Sequence, residues 1–299
     1  MNLDKTLNGK SHNTEKYIKT TDKIFYRTYS GIRLSFHYSL NSFFLISLIP
    51  FFLNSHSFVN FVGRHTHSRT TKPMNDKKLF LLDAYALIYR AYYALIRAPR
   101  ITSKGFNTSA IFGFCNTLHE ILQKENPTHI AVCFDPKGGT FRHDLYTEYK
   151  AKREAQPEDI TLSIPIIKEI VDAYRIPVFE VPGFEADDVI GTLSRMASAQ
   201  GFTTYMMTPD KDYGQLVTDK VFMYRPSLKG TGFEIRGVQE ICEKYGIQSP
   251  KQVIDLLALE GDAIDNIPGC PGVGPKTATK LIGEYGSIEN LLANAGNIN

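Results

Sequence analysis

The chain has 299 residues, of which 42% are hydrophobic, so it can form one large domain or two small ones with a sizeable core. Its four cysteines, at positions 115, 133, 242 and 270, lack the paired spacing of a zinc site. We expect them to be reduced, packed thiols, as is usual in cytosolic proteins. The apolar run at residues 43–53 is too short for a membrane helix, which needs roughly 20 apolar residues.

The net charge of +3 conceals two unlike regions. Residues 1–73 carry 10 Lys and Arg against 3 Asp and Glu, whereas the remainder carries 24 against 28. The remainder is therefore acidic, and carboxylates that hold cations are one reason for such a balance. Residues 1–73 also show no sustained helix or strand period. We predict that they are an unstructured or wrongly included extension, and that Met74 is the true start.

From residue 77 onwards, hydrophobic periodicity predicts alternating strands and helices. The predicted strands are 79–82, 130–134, 177–181, 203–208 and 221–224, and the helices are 84–97, 109–124, 163–174 and 186–199. This alternation is typical of an α/β fold with a largely parallel sheet. After Gly232 the strands fade, and helices are predicted at 238–245, 251–259, 276–285 and 288–293. We therefore predict an α/β core over 74–232 and a helical subdomain over 233–299.

Acidic residues follow the predicted strands or lie in the loop 261–274. They are Asp83, Asp135, Glu185, Asp187, Asp188, Asp210, Asp212, Asp262 and Asp265. The carboxyl ends of parallel strands share one edge of a sheet, where ligands bind. Nine carboxylates would crowd there, and such crowding is unfavourable unless cations neutralise it. Oxygen ligands suit hard ions such as Mg²⁺ or Mn²⁺.

Any single aspartate after a strand is explained as well by a helix N-cap or a turn. The combination of Asp-Lys-Asp at 210–212, Glu-Ala-Asp-Asp at 185–188, Asp83 and Asp135 is poorly explained in that way. It favours a metal cluster. Two ions about 4 Å apart can activate a water and stabilise the leaving oxygen of a phosphodiester.

A glycine-rich turn precedes the helix predicted at 276–285. Gly272 and Gly274 allow the backbone to approach a phosphate closely, and the start of the helix, with Lys276 and Thr277, offers free N–H groups. This pattern predicts a helix-hairpin-helix element that holds one DNA strand without reading its sequence. Gly-x-Gly alone is usually a tight turn, but the preceding Gly-Asp-Ala-Ile-Asp-Asn-Ile-Pro-Gly strengthens the assignment.

A second candidate DNA-binding element lies at residues 141–153. Arg142, Tyr146, Lys150 and Arg153 recur at near-helical intervals, which predicts one stripe on a helix. Cations with an interleaved aromatic ring suit a single-stranded backbone and a stacked base, although a solvated basic helix face is the alternative. Residues 136–161 contain few apolar side chains, so we expect the segment to become ordered only on DNA.

These motifs resemble the structure-specific 5′-nucleases, the flap endonuclease family, and in particular the 5′–3′ exonuclease domain of bacterial DNA polymerase I. The resemblance covers residues 77–295. It is carried by Leu82-Asp83, Tyr89-Arg90-Ala91-Tyr92, Phe134-Asp135, Thr140-Phe141-Arg142, Tyr149-Lys150-Ala151-Lys152-Arg153, Gly183-Phe184-Glu185-Ala186-Asp187-Asp188, Asp210-Lys211-Asp212 and the run from Gly261 to Ala278.

The resemblance implies a PIN-like core, a helical arch over 136–161 and a helix-3-turn-helix subdomain that binds duplex DNA, often with K⁺. It implies two Mg²⁺ ions, with Mn²⁺ as a substitute. One would be held by Asp83, Asp135, Glu185 and Asp187, and the other surrounded by Asp188, Asp210, Asp212 and Asp265, with Asp262 nearby. Lys150 and Arg153 would act in catalysis by steering the scissile phosphate, and Arg142 would contact a phosphate.

The leading hypothesis is a monomeric, cytoplasmic, nucleoid-associated nuclease that acts on 5′-flap, nicked or RNA-primed DNA in replication and repair. The family has no counterpart to residues 1–73, and its domains continue beyond the position of Asn299, so we expect a fragment with a weakened grip on duplex. The alternatives are a catalytically impaired DNA-binding fragment of a DNA polymerase I and a PIN-type ribonuclease, although the hairpin argues against the latter. The sequence does not rank exonuclease against flap endonuclease action.

Overall fold

The structure is a computed structural model that describes residues 77–227 and 232–297. The expectations for residues 1–73, including Met74 as the start, lie outside the described residues. Within the described part, no helix is long and apolar enough to cross a membrane. All four cysteine thiols lie in this part and are unpaired, as predicted.

A six-stranded sheet, in the order β3-β2-β1-β4-β5-β6, forms the centre of the described region. The strands are β1 (Lys78–Asp83), β2 (His129–Phe134), β3 (Val178–Glu180), β4 (Thr203–Met207), β5 (Val221–Pro226) and β6 (Phe233–Arg236). The first five are mutually parallel, and β6 pairs antiparallel with β5. The inner strands β1 and β2 are nearly continuous apolar runs because helices cover both faces of the sheet.

Helices follow the strands in the predicted alternation. Those of the core are α1 (Ala84–Ala94), α2 (Ser109–Glu120), α3 (Phe141–Leu145), α4 (Glu158–Ala173) and α5 (Ala186–Ala199). Those that follow are α6 (Val238–Tyr245), α7 (Gln252–Glu260), α8 (Pro275–Tyr285) and α9 (Ile288–Ala293). A π-helical turn at Ile121–Glu125, 3₁₀ turns at Lys211–Leu216 and Ala295–Asn297, and a small ladder between β7 (Gly261–Asp262) and β8 (Ile267–Pro268) complete the description.

The two faces of the sheet bury separate hydrophobic clusters. Phe80 and Leu82 of β1 face α1, α2 and α4, whereas the alternate residues Leu79 and Leu81 face α5 to α9. All four side chains are fully buried, and each contributes about 1.5–3 kcal/mol of burial free energy. Because α6 to α9 share the second cluster with the sheet, the β7–β8 loop is held at a fixed position beside the core.

Three boundaries differ from the predictions. The half-exposed strand β6 lies after Gly232, so the sheet runs past the predicted division and the helical subdomain begins after it. Helix α4 begins at Glu158, five residues early, because two acidic residues after Pro157 form its first turn at the positive end of the helix dipole. Segment 136–161 therefore contains α3 and the start of α4, and its ordering by DNA stays a prediction.

Candidate active site

The carboxylates meet at the edge of the sheet where the parallel strands end. Asp83 is the last residue of β1, Asp135 follows β2, and Thr208 follows β4. The hydroxyl of Thr208 donates to Asp83 Oδ2 at 3.2 Å, and the backbone N–H of Ala186, the first residue of α5, donates to Asp135 Oδ1 at 2.7 Å. Segments distant in sequence thus come together as predicted for an open α/β sheet.

Asp83 is the most enclosed of the strand-end carboxylates. It caps α1 by accepting from Ala86 N at 3.1 Å, and Tyr213 OH donates to its Oδ2 at 3.0 Å. Burial, together with the nearby charge of Asp135, raises the pKa of Asp83 to about 7. The sequence analysis missed Thr208 and Tyr213, and their closeness to the Asp210-Lys211-Asp212 motif was the available signal.

The first turn of α5 holds three further acidic side chains. Glu185 is the N-cap, and its backbone N–H donates to Asp188 Oδ2 at 3.0 Å in a reciprocal capping box. Burial opposes ionisation of Glu185, but Lys150 and Arg142 outweigh it and hold the pKa of this carboxyl below its usual value. Asp187 is the most exposed of the three.

Arg142 is buried against these acids. Its Nη1 donates to Asp188 Oδ2 at 2.6 Å and its Nη2 donates to Asp188 Oδ1 at 3.0 Å, which makes a bidentate ion pair. Nη2 also lies 3.3 Å from Asp187 Oδ2. Arg142 is 7% exposed and Asp188 is 3% exposed. A phosphate contact by Arg142, or a metal bond to Asp188, would first require this buried pair to separate. Neither predicted role matches the positions found here.

Lys150 and Arg153 do reach the cluster, as predicted. Lys150 Nζ donates to Glu185 Oε1 at 2.8 Å, and Arg153 Nη2 pairs with Asp265 Oδ1 at 2.5 Å. The backbone N–H of Lys150 also donates to the carbonyl oxygen of Asp265 at 2.9 Å. The segment that carries these cations is therefore attached to both α5 and the β7–β8 loop.

Tyr149 joins the same two carboxylates and was not predicted as a site residue. Its hydroxyl lies 3.0 Å from Glu185 Oε2 and 3.0 Å from Asp265 Oδ2, and the residue is 5% exposed. One hydroxyl proton serves two acceptors, so the hydroxyl hydrogen-bonds to one at a time. Burial between two anions raises the pKa of Tyr149, which keeps the proton on the phenol.

The prediction of one helical stripe is wrong, because the four residues do not lie on a single helix. These residues are Arg142, Tyr146, Lys150 and Arg153. Helix α3 ends at Leu145, Tyr146 is extended, and Lys150 is left-handed with a φ of 58°. Turns rather than one helix bring the cations to the acids, and Tyr146 OH donates to the carbonyl oxygen of Asn266 at 3.3 Å.

A second group of carboxylates comprises Asp210, Asp212, Asp262 and Asp265. Asp212 N donates to Asp210 Oδ1 at 3.0 Å, and Asp265 N donates to Asp262 Oδ1 at 3.3 Å. Burial, together with the charge of Asp210, raises the pKa of Asp212 to about 7. Asp212 Oδ1 is buried and has no hydrogen-bond partner among the described residues.

The described residues contain no ready-made cage of three or more His, Cys, Asp or Glu around one point. Cationic side chains pair with several of the acids instead. The donor set nevertheless fits a hard divalent ion, because its ligands are all carboxylate oxygens. The raised pKa values of Asp83 and Asp212, and the unpartnered Oδ1 of Asp212, mark groups whose ionised form a cation would stabilise.

The hairpin before α8 is exposed in the manner expected of a backbone-binding element. Gly272 has a φ of 81°, a conformation that favours glycine, and Gly274 is the N-cap of α8. Both glycines, Lys276 and Thr277 are exposed. The free N–H groups and positive dipole end of an 11-residue helix thus face solvent.

Two family models match the sheet-containing core and the helical region that follows it. The model of the 5′-3′ exonuclease N-terminal resolvase-like domain matches residues 78–246, and that of the 5′-3′ exonuclease C-terminal SAM fold matches residues 248–299. The chain is 42% identical over 218 residues to a 5′-3′ exonuclease of Aquifex aeolicus, covering 73% of each chain. It is 43% identical over 217 residues to DNA polymerase I of Bacillus subtilis, covering 72% of this chain but 24% of that relative.

Solved structures support the fold. A T5 5′-exonuclease with bound divalent zinc ions matches with a TM-score of 0.59 at 21% identity, covering 73% of this chain and 79% of that one. A T5 D15 flap endonuclease complex with DNA and metal ions matches with a TM-score of 0.56 at 20% identity, covering 72% and 78%. The predicted mostly parallel PIN-like core with a helical subdomain is confirmed. The chain belongs to the 5′–3′ exonuclease/flap endonuclease family of nucleases.

Proposed function

We propose that the chain hydrolyses DNA phosphodiester bonds at the carboxylate edge of its sheet, using two divalent ions. The observation that carries the proposal is the convergence of acids from β1, β2, α5, the 210–212 turn and the β7–β8 loop beside Lys150 and Arg153. Its substrate is a 5′-flap, a nicked duplex or an RNA-primed DNA, and it acts as a cytoplasmic, nucleoid-associated monomer in replication and repair. The T5 flap endonuclease solved with DNA and metal ions supports the choice of a DNA substrate.

Asp83, Asp135, Glu185 and Asp187 would hold the first ion. Asp210, Asp212, Asp262 and Asp265 would hold the second, and Asp188 would keep its pair with Arg142. Mg²⁺ is the expected ion, with Mn²⁺ as a substitute, because both favour carboxylate oxygens. When bound, such ions supply an activated water and stabilise the charge of the leaving oxygen.

The chain's own cations hold the scissile phosphate. Lys150 and Arg153, which pair with Glu185 and Asp265 in this structure, would bind oxygens of the scissile phosphate as charge-assisted donors. Arg153 is the more exposed of the two and reaches the phosphate from the solvent side. The hydroxyl of Tyr149 lies between these two acids and can donate to either of them.

The hairpin before α8 holds the duplex. Backbone N–H groups near Gly272 and Gly274 donate to a phosphate of one strand, and Lys276 and Thr277 add a charge and a hydroxyl. A K⁺ ion bound at this hairpin would strengthen the contact. The grip is independent of DNA sequence because it involves backbone phosphates only.

The proposal is tested by cleavage of a 5′-flap duplex in Mg²⁺, with Asp210→Ala as the variant and Asp172→Ala, an exposed aspartate on α4, as the matched control. Loss of a metal ligand should remove about 4 kcal/mol of transition-state stabilisation, so cleavage by Asp210→Ala should fall roughly a thousand-fold. Flap binding in Ca²⁺ should persist.

Three results would contradict the proposal. Unchanged cleavage by Asp210→Ala would remove the assigned metal group. Binding without cleavage by the wild-type chain would favour the DNA-binding fragment, and preferential cleavage of single-stranded RNA would favour a ribonuclease.

A further inference from the structure

Cationic side chains gather on one face of the β5–β6 ladder, at the outer edge of the sheet. Arg225 lies opposite Glu234, and Arg236 lies opposite Met223, so the three charged side chains share a face. Helix α6 packs beside β6 and brings Lys244 to this face. We call Lys211, Arg225, Arg236 and Lys244 the edge basic patch.

Within the edge basic patch, one acid pairs directly with two of the four cations, and Lys211 is near Asp210, Asp212 and Glu260. A single carboxylate oxygen, Glu234 Oε1, lies 2.6 Å from Arg236 Nη2 and 3.2 Å from Arg225 Nε. Burial and the neighbouring charge of Arg236 lower the pKa of Arg225. Burial, Arg236, Arg225 and Lys211 together lower the pKa of Lys244. The four cations therefore repel one another in a region of the chain that is acidic overall.

Two buried guanidinium nitrogens in the edge basic patch lack hydrogen bonds. Arg225 is 9% exposed, and its Nε and the Nη1 of Arg236 have no hydrogen-bond partner among the described residues. Nε of Arg225 lies 3.2 Å from Glu234 Oε1, but its N–H bond does not point at that oxygen closely enough for a hydrogen bond. Buried charged donors without partners are unfavourable. These two nitrogens are enclosed by the chain, so the exposed ammonium groups of Lys211 and Lys244 are the members of the patch that an external phosphate can reach.

The edge basic patch adjoins the second carboxylate group. Lys211 stands between Asp210 and Asp212, and Lys244 Nζ lies 4.4 Å from the ring centroid of Tyr245, a residue within electrostatic reach of Asp212. Lys150 and Arg153 flank the carboxylates on the other side, near the end of β2. Cations thus lie on both sides of the carboxylates, near β2 on one side and near β5 and β6 on the other.

We propose that the edge basic patch binds backbone phosphates of the DNA as it leaves the carboxylate edge. This contact is separate from Lys150 and Arg153 and from the α8 hairpin. It rests on the proposed function, since it requires a DNA substrate. It contributes affinity without sequence preference, because guanidinium and ammonium groups contact phosphate and not base edges.

The test is the salt dependence of DNA binding by Arg236→Gln/Lys244→Gln. The dissociation constant for a 5′-flap duplex is measured in Ca²⁺ at several KCl concentrations. The double variant should bind roughly ten-fold more weakly at low salt, and the slope of log Kd against log salt should fall by about 1 to 2. The control Lys124→Gln/Arg195→Gln removes the same charge at exposed positions away from the edge basic patch and should change neither quantity.

Further measurements separate this proposal from the proposed function. Wild-type binding and Mg²⁺-dependent cleavage are established first, and their absence would refute both. With both present, an unchanged Kd and slope in the double variant, or an equal loss in the control, would refute the edge basic patch alone. The single variant Lys244→Gln, at an exposed position, should show a smaller loss of slope with unaltered thermal stability.

Discussion

The two groups of carboxylates at the sheet edge differ in what neutralises them. In the first group, Arg142 and Lys150 pair with the acids at the start of α5, and the pKa of Glu185 is low. In the second group, Asp210 and Asp212 face each other and the loop acids, and the pKa of Asp212 is raised. The chain's own cations thus neutralise the acids at the start of α5. Asp83 and Asp212, whose pKa values are raised to about 7, are the acids whose ionised form an external cation would stabilise.

The first group should therefore depend most strongly on Arg142. Arg142→Met leaves Asp188 buried without its cation, which should lower the free energy of unfolding by about 3–5 kcal/mol. Urea denaturation in EDTA measures the loss, and Arg195→Met, at an exposed position on α5, is the control. Adding Asp188→Asn to Arg142→Met should recover part of the loss. A decrease of less than about 1 kcal/mol in the free energy of unfolding would mean that the Arg142–Asp188 pair does not stabilise the first turn of α5.

The second group should show its need for a cation as a dependence on pH. Asp212 has a pKa of about 7 in the folded chain against 3.8 as its reference value. The folded state therefore holds the proton more tightly, and its stabilisation is present at low pH and is lost as pH rises from about 4 to 7. In EDTA, the wild-type chain should lose about 2 kcal/mol more than Asp212→Asn over this range. Equal pH profiles would contradict the raised pKa, and added Mg²⁺ should raise the stability at pH 7 more in the wild type than in Asp212→Asn.

The positions of the strand-end acids were predictable because the inner strands are continuous apolar runs. Asp83 and Asp135 follow such runs, and the topology of a parallel sheet then brings them to one edge. Strand β6 was not predictable, since its four residues at the sheet edge are only partly buried and give no strong period.

The geometry of the 141–153 segment depends on contacts that local sequence does not contain. Spacings of three and four residues suit a helix, but the turn at Lys150 is fixed by a hydrogen bond to Asp265, far along the chain. Likewise, adjacent acids at 187 and 188 look equivalent in sequence. Only the packing of Arg142 distinguishes Asp188, which faces inward, from Asp187, which is partly exposed.

The most direct test of the two-group account is a count of bound Mn²⁺ ions by isothermal titration calorimetry. The account predicts two ions per wild-type chain and one per Asp212→Asn chain, because that substitution removes a ligand from the second group only. Asp172→Asn, the exposed control, should keep two. Retention of both ions by Asp212→Asn, or a single ion in the wild type, would contradict it.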